Sequence, residues 1–325
     1  MKSYKIAIVN SSSFGKYFPQ QLERLKKIGE VESFVFDNDI SGKDLAKALN
    51  GFNIIIASVR PFFNKEFFDN KDELLLLSRH GIGFNNVDVV AAKAHGTVVT
   101  IVPALVERDA VAENAVANLM ALIRRTVDSQ EAVKNNEWSK RATFLGINVT
   151  GKTVGVVGCG NIGSRVAEIL KFGYNARLLV VDPKIDQAWA KKVGAEVVDL
   201  DYLLSHADVI SLNASLNETS KNLLKDREFS LMKKGVYITN TARAELIEQD
   251  AILKALDAGI VAGYATDVMY SEPSFNDHPF VKHSKILVTP HTSAYAIECL
   301  QGMGEKCVAD VENLISNKPL ESVVS

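Results

Sequence analysis

Residues 153–163 constrain the fold of this chain more than any other stretch; they read T-V-G-V-V-G-C-G-N-I-G. A short valine-rich run leads directly into Gly158, Gly160 and Gly163, and a helical pattern follows over residues 164–172. In this spacing the first glycine makes a tight turn, the second lets the backbone approach a pyrophosphate, and the third lets the helix lie close to the strand. The free N–H groups at the start of such a helix attract an anion. The stretch is therefore typical of a dinucleotide-binding βαβ unit.

A glycine pattern of this kind also occurs in ordinary turns, so its context decides the interpretation. A second apolar run, residues 178–181, ends in Asp182, about 20 residues after the last glycine. A carboxylate at that point can accept hydrogen bonds from the ribose hydroxyls of NAD and repels the 2′-phosphate of NADP. The alternative is a turn residue before Pro183. We predict that NAD is the cofactor.

Composition and charge limit the possible classes of protein. A chain of 325 residues with 47% hydrophobic and 23% charged residues is expected to form two domains of an ordinary globular protein. The 37 basic and 39 acidic residues nearly balance, so we expect no nucleic-acid partner. The first residues lack the apolar core of a signal peptide, and no apolar run is long enough to span a bilayer, so no membrane association is expected. Three scattered cysteines favour a reducing compartment, and we predict a cytoplasmic protein.

The first hundred residues alternate between strand-like and helix-like segments, which predicts a parallel sheet covered on both faces. No glycine-rich phosphate loop follows the first strand, so this half is predicted to hold the substrate rather than the dinucleotide. The predicted strands are residues 5–9, 31–36, 53–57, 74–78 and 97–102.

The loop after the fourth of these strands, residues 79–88, reads R-H-G-I-G-F-N-N-V-D. Two glycines between a strand end and a helix start can turn successive N–H groups inward and form an anion nest, to which a carboxylate would bind. The candidate residues are His80, Gly81, Ile82 and Gly83. The alternative is a tight turn in which a polar side chain caps the next helix.

Three polar residues in the second half each follow a predicted strand: Arg243, Glu272 and His291. In a doubly wound sheet the carboxyl ends of the strands line the ligand site. There a histidine can exchange a proton with a hydroxyl or carbonyl oxygen, a glutamate can orient it, and an arginine can polarise the carbonyl or bind a carboxylate. Taken singly, each has another interpretation: a salt bridge, a turn residue and a capped loop histidine. The remaining histidines show no metal-ligand spacing, so no metal site is predicted.

The ordered motifs resemble the D-isomer-specific 2-hydroxyacid dehydrogenase family nearly end to end. In order they are G-I-G-F-N-N-V-D, V-A-E-N, G-C-G-N-I-G with Asp182, N-T-A-R, D-V-M-Y-S-E-P and T-P-H. The resemblance implies an α/β fold with two doubly wound parallel-sheet (Rossmann-like) domains and a cleft between them. It places a discontinuous substrate domain at residues 1–102 and 298–325, an NAD-binding domain at residues 103–297, and a homodimer formed through the NAD domains.

The same resemblance assigns roles to single residues. Arg243 would bind and polarise a 2-oxo acid, His291 would be the acid/base assisted by Glu272, and the N–H groups of Ile82 and Gly83 would bind the substrate carboxylate. Beside the three glycines and Asp182, the cofactor-contacting positions are Asn161, Ile162, Asn213, Thr241 and Asp267.

The chain departs from the family pattern at three positions. Asn213 begins N-A-S-L-N where members often carry H-x-P-L-T, Asn114 stands where many have histidine, and Ala244 replaces a common glycine. These changes affect the expected details of the cofactor pocket but not the expected reaction.

The predicted function is the NAD-dependent interconversion of a 2-oxo acid and the (R)-2-hydroxy acid by hydride transfer. Phosphoglycerate-type members carry an arginine directly after the third strand, where this chain has Ser58, with Arg60 two residues later. Phe62 and Phe63 favour an apolar substrate side chain, although they are also explained by packing under the loop. Tyr295 resembles a residue of the lactate-reducing branch. The alternatives are a phosphoglycerate-type dehydrogenase and an NAD-sensing, corepressor-like interaction protein.

Overall fold

A computed structural model describes residues 4–272 and 275–325. The chain divides into two compact units, one made of Met1–Glu107 with Tyr295–Ser325 and the other of Arg108–Ala294. The strands are β1 Lys5–Val9, β2 Glu30–Phe34, β3 Ile54–Ala57, β4 Leu76–Arg79, β5 Val98–Thr100, β6 Thr153–Val157, β7 Arg177–Val181, β8 Ala195–Val197, β9 Val209–Leu212, β10 Val236–Asn240, β11 Val261–Thr266 and β12 Ile286–Val288. The helices are α1 Pro19–Lys26, α2 Gly42–Ala48, α3 Lys65–Asn70, α4 Val89–His95, α5 Ala104–Ile123, α6 Thr126–Lys134, α7 Asn161–Tyr174, α8 Gln187–Val193, α9 Leu200–His206, α10 Asp226–Leu231, α11 Gln249–Asp257, α12 Pro279–Lys282 and α13 Ile297–Ile315.

The first unit contains a five-stranded parallel sheet in the order β2-β1-β3-β4-β5. Successive side chains of β1 point to opposite faces, so Ile6 and Ile8 enter one hydrophobic core while Ala7 and Val9 enter the other. The first of these cores also contains Val308 from α13, near the end of the chain. Burial on both faces explains why β1 and β3 are apolar runs, whereas the edge strand β2 is partly exposed and contains polar residues.

The second unit contains a seven-stranded parallel sheet in the order β12-β11-β10-β9-β6-β7-β8. From β6 the chain proceeds outward to β7 and β8, and it then returns to β9 on the other side of β6. The sheet order therefore reverses between β6 and β9, and in open α/β sheets ligands bind at the carboxyl ends of the strands that flank such a point. The glycine loop follows β6, and Asn213 follows β9.

Two parallel-sheet α/β units confirm the predicted fold class, and the differences are local. Helix α5 begins at Ala104, directly after Pro103, and proline restricts the residue before it to extended backbone. The edge strand β8 was missed, since its three residues are partly exposed and contain no apolar run. Trp138 is 69% exposed at the start of a 3-10 helix. Within the described ranges, none of the helices combines the length and apolarity needed to cross a membrane.

Candidate active site and dinucleotide site

The glycine loop at the end of β6 has the shape that the sequence predicts. Gly158 has a φ of +83°, in the left-handed region, and a Cβ at this position would lie 2.4 Å from the backbone nitrogen of Ala214. A Cβ on Gly163 would lie 1.9 Å from the carbonyl oxygen of Gly158. At Gly160, the residue that precedes α7, a Cβ would meet no described atom within 4 Å. The helix start therefore has open space in front of it, which fits the close approach of a pyrophosphate.

Asp182, directly after β7, is bound to the glycine loop. One carboxylate oxygen accepts the N–H of Cys159 at 2.7 Å, and the other accepts the N–H of Lys184 at 2.7 Å. The residue is therefore also the turn residue that the sequence offered as its alternative role. A carboxylate can accept about four hydrogen bonds, so it retains capacity for the ribose hydroxyls. Burial, with the negative charge of Asp182, raises the pKa of the Cys159 thiol to about 12 and keeps it neutral.

Asn213, at the end of β9, has a buried amide with one end unsatisfied. Its Nδ2 donates to Ser211 Oγ at 3.0 Å, whereas its Oδ1 is buried and has no hydrogen-bond partner among the described residues. The Asn213 side chain lies beside the loop, with its Cβ 3.1 Å from the position that a Cβ on Gly163 would take. A buried acceptor costs free energy unless a donor reaches it. A polar ligand at the loop would supply one, so these residues fit a dinucleotide.

His291 and Glu272 form a direct pair in the second unit. His291 Nδ1 lies 2.7 Å from Glu272 Oε2, and because a carboxylate only accepts, the ring nitrogen donates. The other carboxylate oxygen, Oε1, accepts the N–H of Met269 at 2.8 Å. With Nδ1–H fixed in this way, Nε2 of the ring is left to exchange a proton.

Arg243 is electrostatically linked to this pair. Burial alone would raise the pKa of Glu272, but the hydrogen bond and charge of His291, together with the N–H of Met269 and the charge of Arg243, hold that pKa below its usual value. The Arg243 guanidinium also donates to the carbonyl oxygen of Ala242 at 2.7 Å. The three predicted residues are thus brought together within one unit.

Asp267 anchors the turn that carries His291. His291 has a φ of +55°, a conformation that a non-glycine residue adopts only when its surroundings enforce it. Asp267 is 1% exposed, and its Oδ1 accepts from the hydroxyl of Thr289 at 2.5 Å and the N–H of Thr292 at 2.9 Å. Its Oδ2 accepts from the N–H of Ser293 at 2.7 Å and its hydroxyl at 2.5 Å. The carboxylate was predicted to contact the cofactor, which stays a prediction; its role in holding the His291 turn was not predicted.

Helix α5 holds the same turn from a second direction. Asn118 donates to the hydroxyl of Thr289 at 3.0 Å, and the hydroxyl oxygen of Ser293 lies 3.0 Å from Asn114 Oδ1. The two asparagines are themselves bonded at 2.9 Å. Asn118 carries no motif signal, and Asn114 was noted only as a departure from a common histidine.

The loop after β4, for which an anion-binding role was predicted, lies in the first unit. Gly81 has a φ of +153°, and the N–H of Ile82 donates to Glu107 Oε1 at 2.9 Å. His80 is buried against Phe14, and burial with the neighbouring positive charge of Arg79 lowers its pKa to about 3, so the ring is neutral. Elsewhere in the unit, the exposed Tyr295 shares a hydrogen bond of 2.9 Å with the hydroxyl of Ser12.

Comparison with known proteins decides the family. Residues 116–293 match the model described as D-isomer specific 2-hydroxyacid dehydrogenase, NAD binding domain. The chain belongs to this family. Its members include D-3-phosphoglycerate dehydrogenase 2 of Arabidopsis thaliana, 34% identical over 86% of this chain and 44% of that protein. The glyoxylate reductase of Pyrococcus horikoshii is 31% identical over 89% of this chain and 86% of its own length.

Solved structures of the dehydrogenase family show the same fold. The apo-structure of D-lactate dehydrogenase from Escherichia coli is 30% identical, covers 99% of this chain and 100% of its own, and superposes with a TM-score of 0.85. The chain spans about half the length of the plant phosphoglycerate dehydrogenases that it matches.

The residues that match the family's NAD-binding domain, 116–293, lie within the second unit. The second unit therefore carries that domain, and the prediction of NAD as the cofactor is confirmed.

Proposed function

We propose that this dehydrogenase-family protein interconverts a 2-oxo acid and the (R)-2-hydroxy acid with NAD. The observation that carries the proposal is the His291–Glu272 pair at 2.7 Å, with the charge of Arg243 acting on it, in the unit that binds NAD. The sheet and the glycine loop alone would fit any NAD-binding protein. A histidine held by a carboxylate beside an arginine is what proton transfer to a carbonyl oxygen requires.

In this proposal, different residues of the second unit bind the cofactor, transfer the proton and polarise the carbonyl group. Gly160 and the start of α7 hold the pyrophosphate, and Asp182 accepts hydrogen bonds from the ribose. NADH, when bound, supplies the hydride that reduces the carbonyl carbon. For reduction His291 is an imidazolium, held by Glu272 through Nδ1, and its Nε2–H gives a proton to the oxygen that becomes the hydroxyl. For oxidation the neutral ring removes that proton. Arg243 polarises the carbonyl in both directions.

The substrate is proposed to be a monocarboxylate with a small or medium apolar side chain. Its carboxylate binds the N–H groups of Ile82 and Gly83. Phe62 is 43% exposed and lies under the Arg60 guanidinium at 4.1 Å, whereas Phe63 is fully buried in the core. Phe62 is therefore available for apolar contact, while Phe63 has the packing role that was its alternative. The hydroxyl groups of Ser12 and Tyr295, which are hydrogen-bonded to each other, would offer the substrate an uncharged polar contact.

The test is NADH oxidation over a graded set of acids: glyoxylate, pyruvate, 2-oxoisocaproate, phenylpyruvate and 3-phosphohydroxypyruvate. We expect turnover with the apolar acids, an (R) product by chiral chromatography, and a lower kcat/KM for the phosphorylated acid. Absence of turnover with every acid refutes the reaction. A higher kcat/KM for 3-phosphohydroxypyruvate than for all the others refutes only the substrate class.

We further propose a homodimer and a cytoplasmic location. The segment at residues 126–145 of the second unit exposes four large apolar side chains, which a partner subunit would cover. They are Val127, Val133, Trp138 and Leu145. Light scattering after gel filtration should give twice the chain mass, and a monomer would refute the dimer. All three cysteines are free, which supports a reducing compartment.

A further inference from the structure

A carboxylate of the protein itself occupies part of the loop that the proposed function assigns to the substrate. Glu107, in the first turn of α5, is only 8% exposed, and its Oε1 accepts the N–H of Ile82 at 2.9 Å. This N–H is one of the donors proposed for the substrate carboxylate. The donor has a single hydrogen, so one carboxylate oxygen must yield when another binds along the same direction.

We propose that Glu107 is an internal competitor for the carboxylate-binding loop and thereby sets the affinity for the 2-oxo acid. The inference rests on the proposed function, because that function places a substrate carboxylate at Ile82. Glu107 does not touch the reacting atoms in this scheme. Its effect is on substrate binding, because the Glu107 carboxylate must move away from the Ile82 N–H before that N–H can donate to the substrate.

The charge of Glu107 acts on a neighbouring residue, Cys299. Cys299, in the first turn of α13, is buried, and burial with the negative charge of Glu107 raises the pKa of its thiol to about 12. The thiol is therefore uncharged, and the negative charge of Glu107 is felt at this site. A second carboxylate brought to Ile82 must therefore compete with that of Glu107 for the same N–H.

The test is Glu107→Gln, which keeps the side-chain length and an acceptor oxygen but removes the charge. The Ile82 N–H would then donate to a neutral amide oxygen instead of a carboxylate, and this weaker competing hydrogen bond should lower KM for the best 2-oxo acid about 10-fold. The dissociation constant of oxamate from the enzyme–NADH complex, measured by calorimetry, should fall by a similar factor. The effect belongs to KM rather than kcat, and the KM for NADH should stay at its wild-type value.

Glu298→Gln is the matched control. Glu298 is likewise an acidic residue in the first turn of a long helix, α13, but it is exposed. The Glu298→Gln substitution removes the same charge from an equivalent helix position, so KM and oxamate binding should remain as in the wild type. If both variants lower KM equally, net charge is responsible and the proposal for Glu107 is wrong.

A second variant keeps the test decisive if Glu107→Gln does not fold, as judged by circular dichroism. Glu107→Met has similar length and lacks both charge and acceptor, and oxamate should again bind more tightly. Unchanged or weaker oxamate binding in a folded variant overturns the proposal while wild-type turnover leaves the proposed function intact. The opposite outcome is a variant that binds oxamate more tightly while the wild-type protein turns over none of the acids. In that case Glu107 competes for the loop, and the proposed reaction is wrong. A wild-type protein that neither turns over nor binds oxamate refutes both.

Discussion

Replacing Glu272 by glutamine tests the central electrostatic argument of the site. In the reductive direction His291 acts as an imidazolium, and the carboxylate stabilises this charged form through the Nδ1 hydrogen bond of 2.7 Å. Glutamine has nearly the same shape but no charge. The variant therefore loses the charge that favours the protonated ring during reduction, and the effect should be visible in the pH dependence of the rate.

The size of the effect follows from the distance and the exposure of the pair. Two unit charges about 4 Å apart interact by about 1 kcal/mol in water and about 4 kcal/mol at the effective dielectric of a protein surface. The side chains of His291 and Glu272 are 35% and 26% exposed, so water screens part of this interaction. We expect about 1–3 kcal/mol, and at 1.36 kcal/mol per pH unit this is a displacement of about 1–2 units.

The assay is the pH dependence of kcat/KM in both directions. The alkaline limb of 2-oxo acid reduction and the acid limb of hydroxy acid oxidation should both move to lower pH in Glu272→Gln, by similar amounts. Structural damage would lower both profiles without moving them. Glu248→Gln, an exposed glutamate of the same unit, is the control and should leave both limbs in place. Profiles that superimpose on the wild type, or limbs that move to higher pH, refute the pairing.

Three further substitutions test other parts of the molecule. His291→Asn should lower kcat about 10²–10⁴-fold, since a proton-transfer group is lost, while fluorescence titration shows unchanged NADH affinity; undiminished turnover would remove His291 from the reaction. Asp182→Ala should reduce the preference for NADH over NADPH in kcat/KM about 10-fold. It should also weaken NADH binding, because the glycine loop loses an acceptor; an unaltered cofactor ratio would show that the carboxylate does not face the ribose. Asp310→Ala should lower the free energy of unfolding by about 3–5 kcal/mol in urea titrations, because it leaves Lys306 and two hydroxyls buried without their carboxylate, and a loss below about 1 kcal/mol would contradict this.

The sequence was sufficient for the parts of the site that depend on local spacing. The glycine loop, Asp182 and the three residues after strands β10, β11 and β12 were all found because each is defined by a strand end and a few neighbours. Parallel strands place their carboxyl ends at one edge of the sheet, so residues far apart in sequence become predictable neighbours. The contact between His291 and Glu272 is the example in this chain.

The network behind His291 was not predictable in the same way. Asn114 and Asn118 contribute from helix α5, and their role depends on which helix face packs under the turn at residues 289–293. Two asparagines one helical turn apart give no sign of such a partner in the sequence. Glu107 presents the same difficulty, since an acidic residue in the first turn of a helix is explained well enough by the helix dipole.

Asp182 and Asp267 occupy equivalent positions after their strands but differ in how many hydrogen bonds they can still accept. Both carboxylates directly follow a strand, and both were predicted to contact the cofactor. Asp267 accepts four donors from the turn around His291, which uses the full capacity of a carboxylate, so a cofactor hydroxyl could bind its side chain only by replacing one of them. Asp182 accepts two and keeps room for two more. Substitution of Asp182 should therefore change the choice of cofactor, whereas substitution of Asp267 should act on the position of His291 and so on the rate of proton transfer.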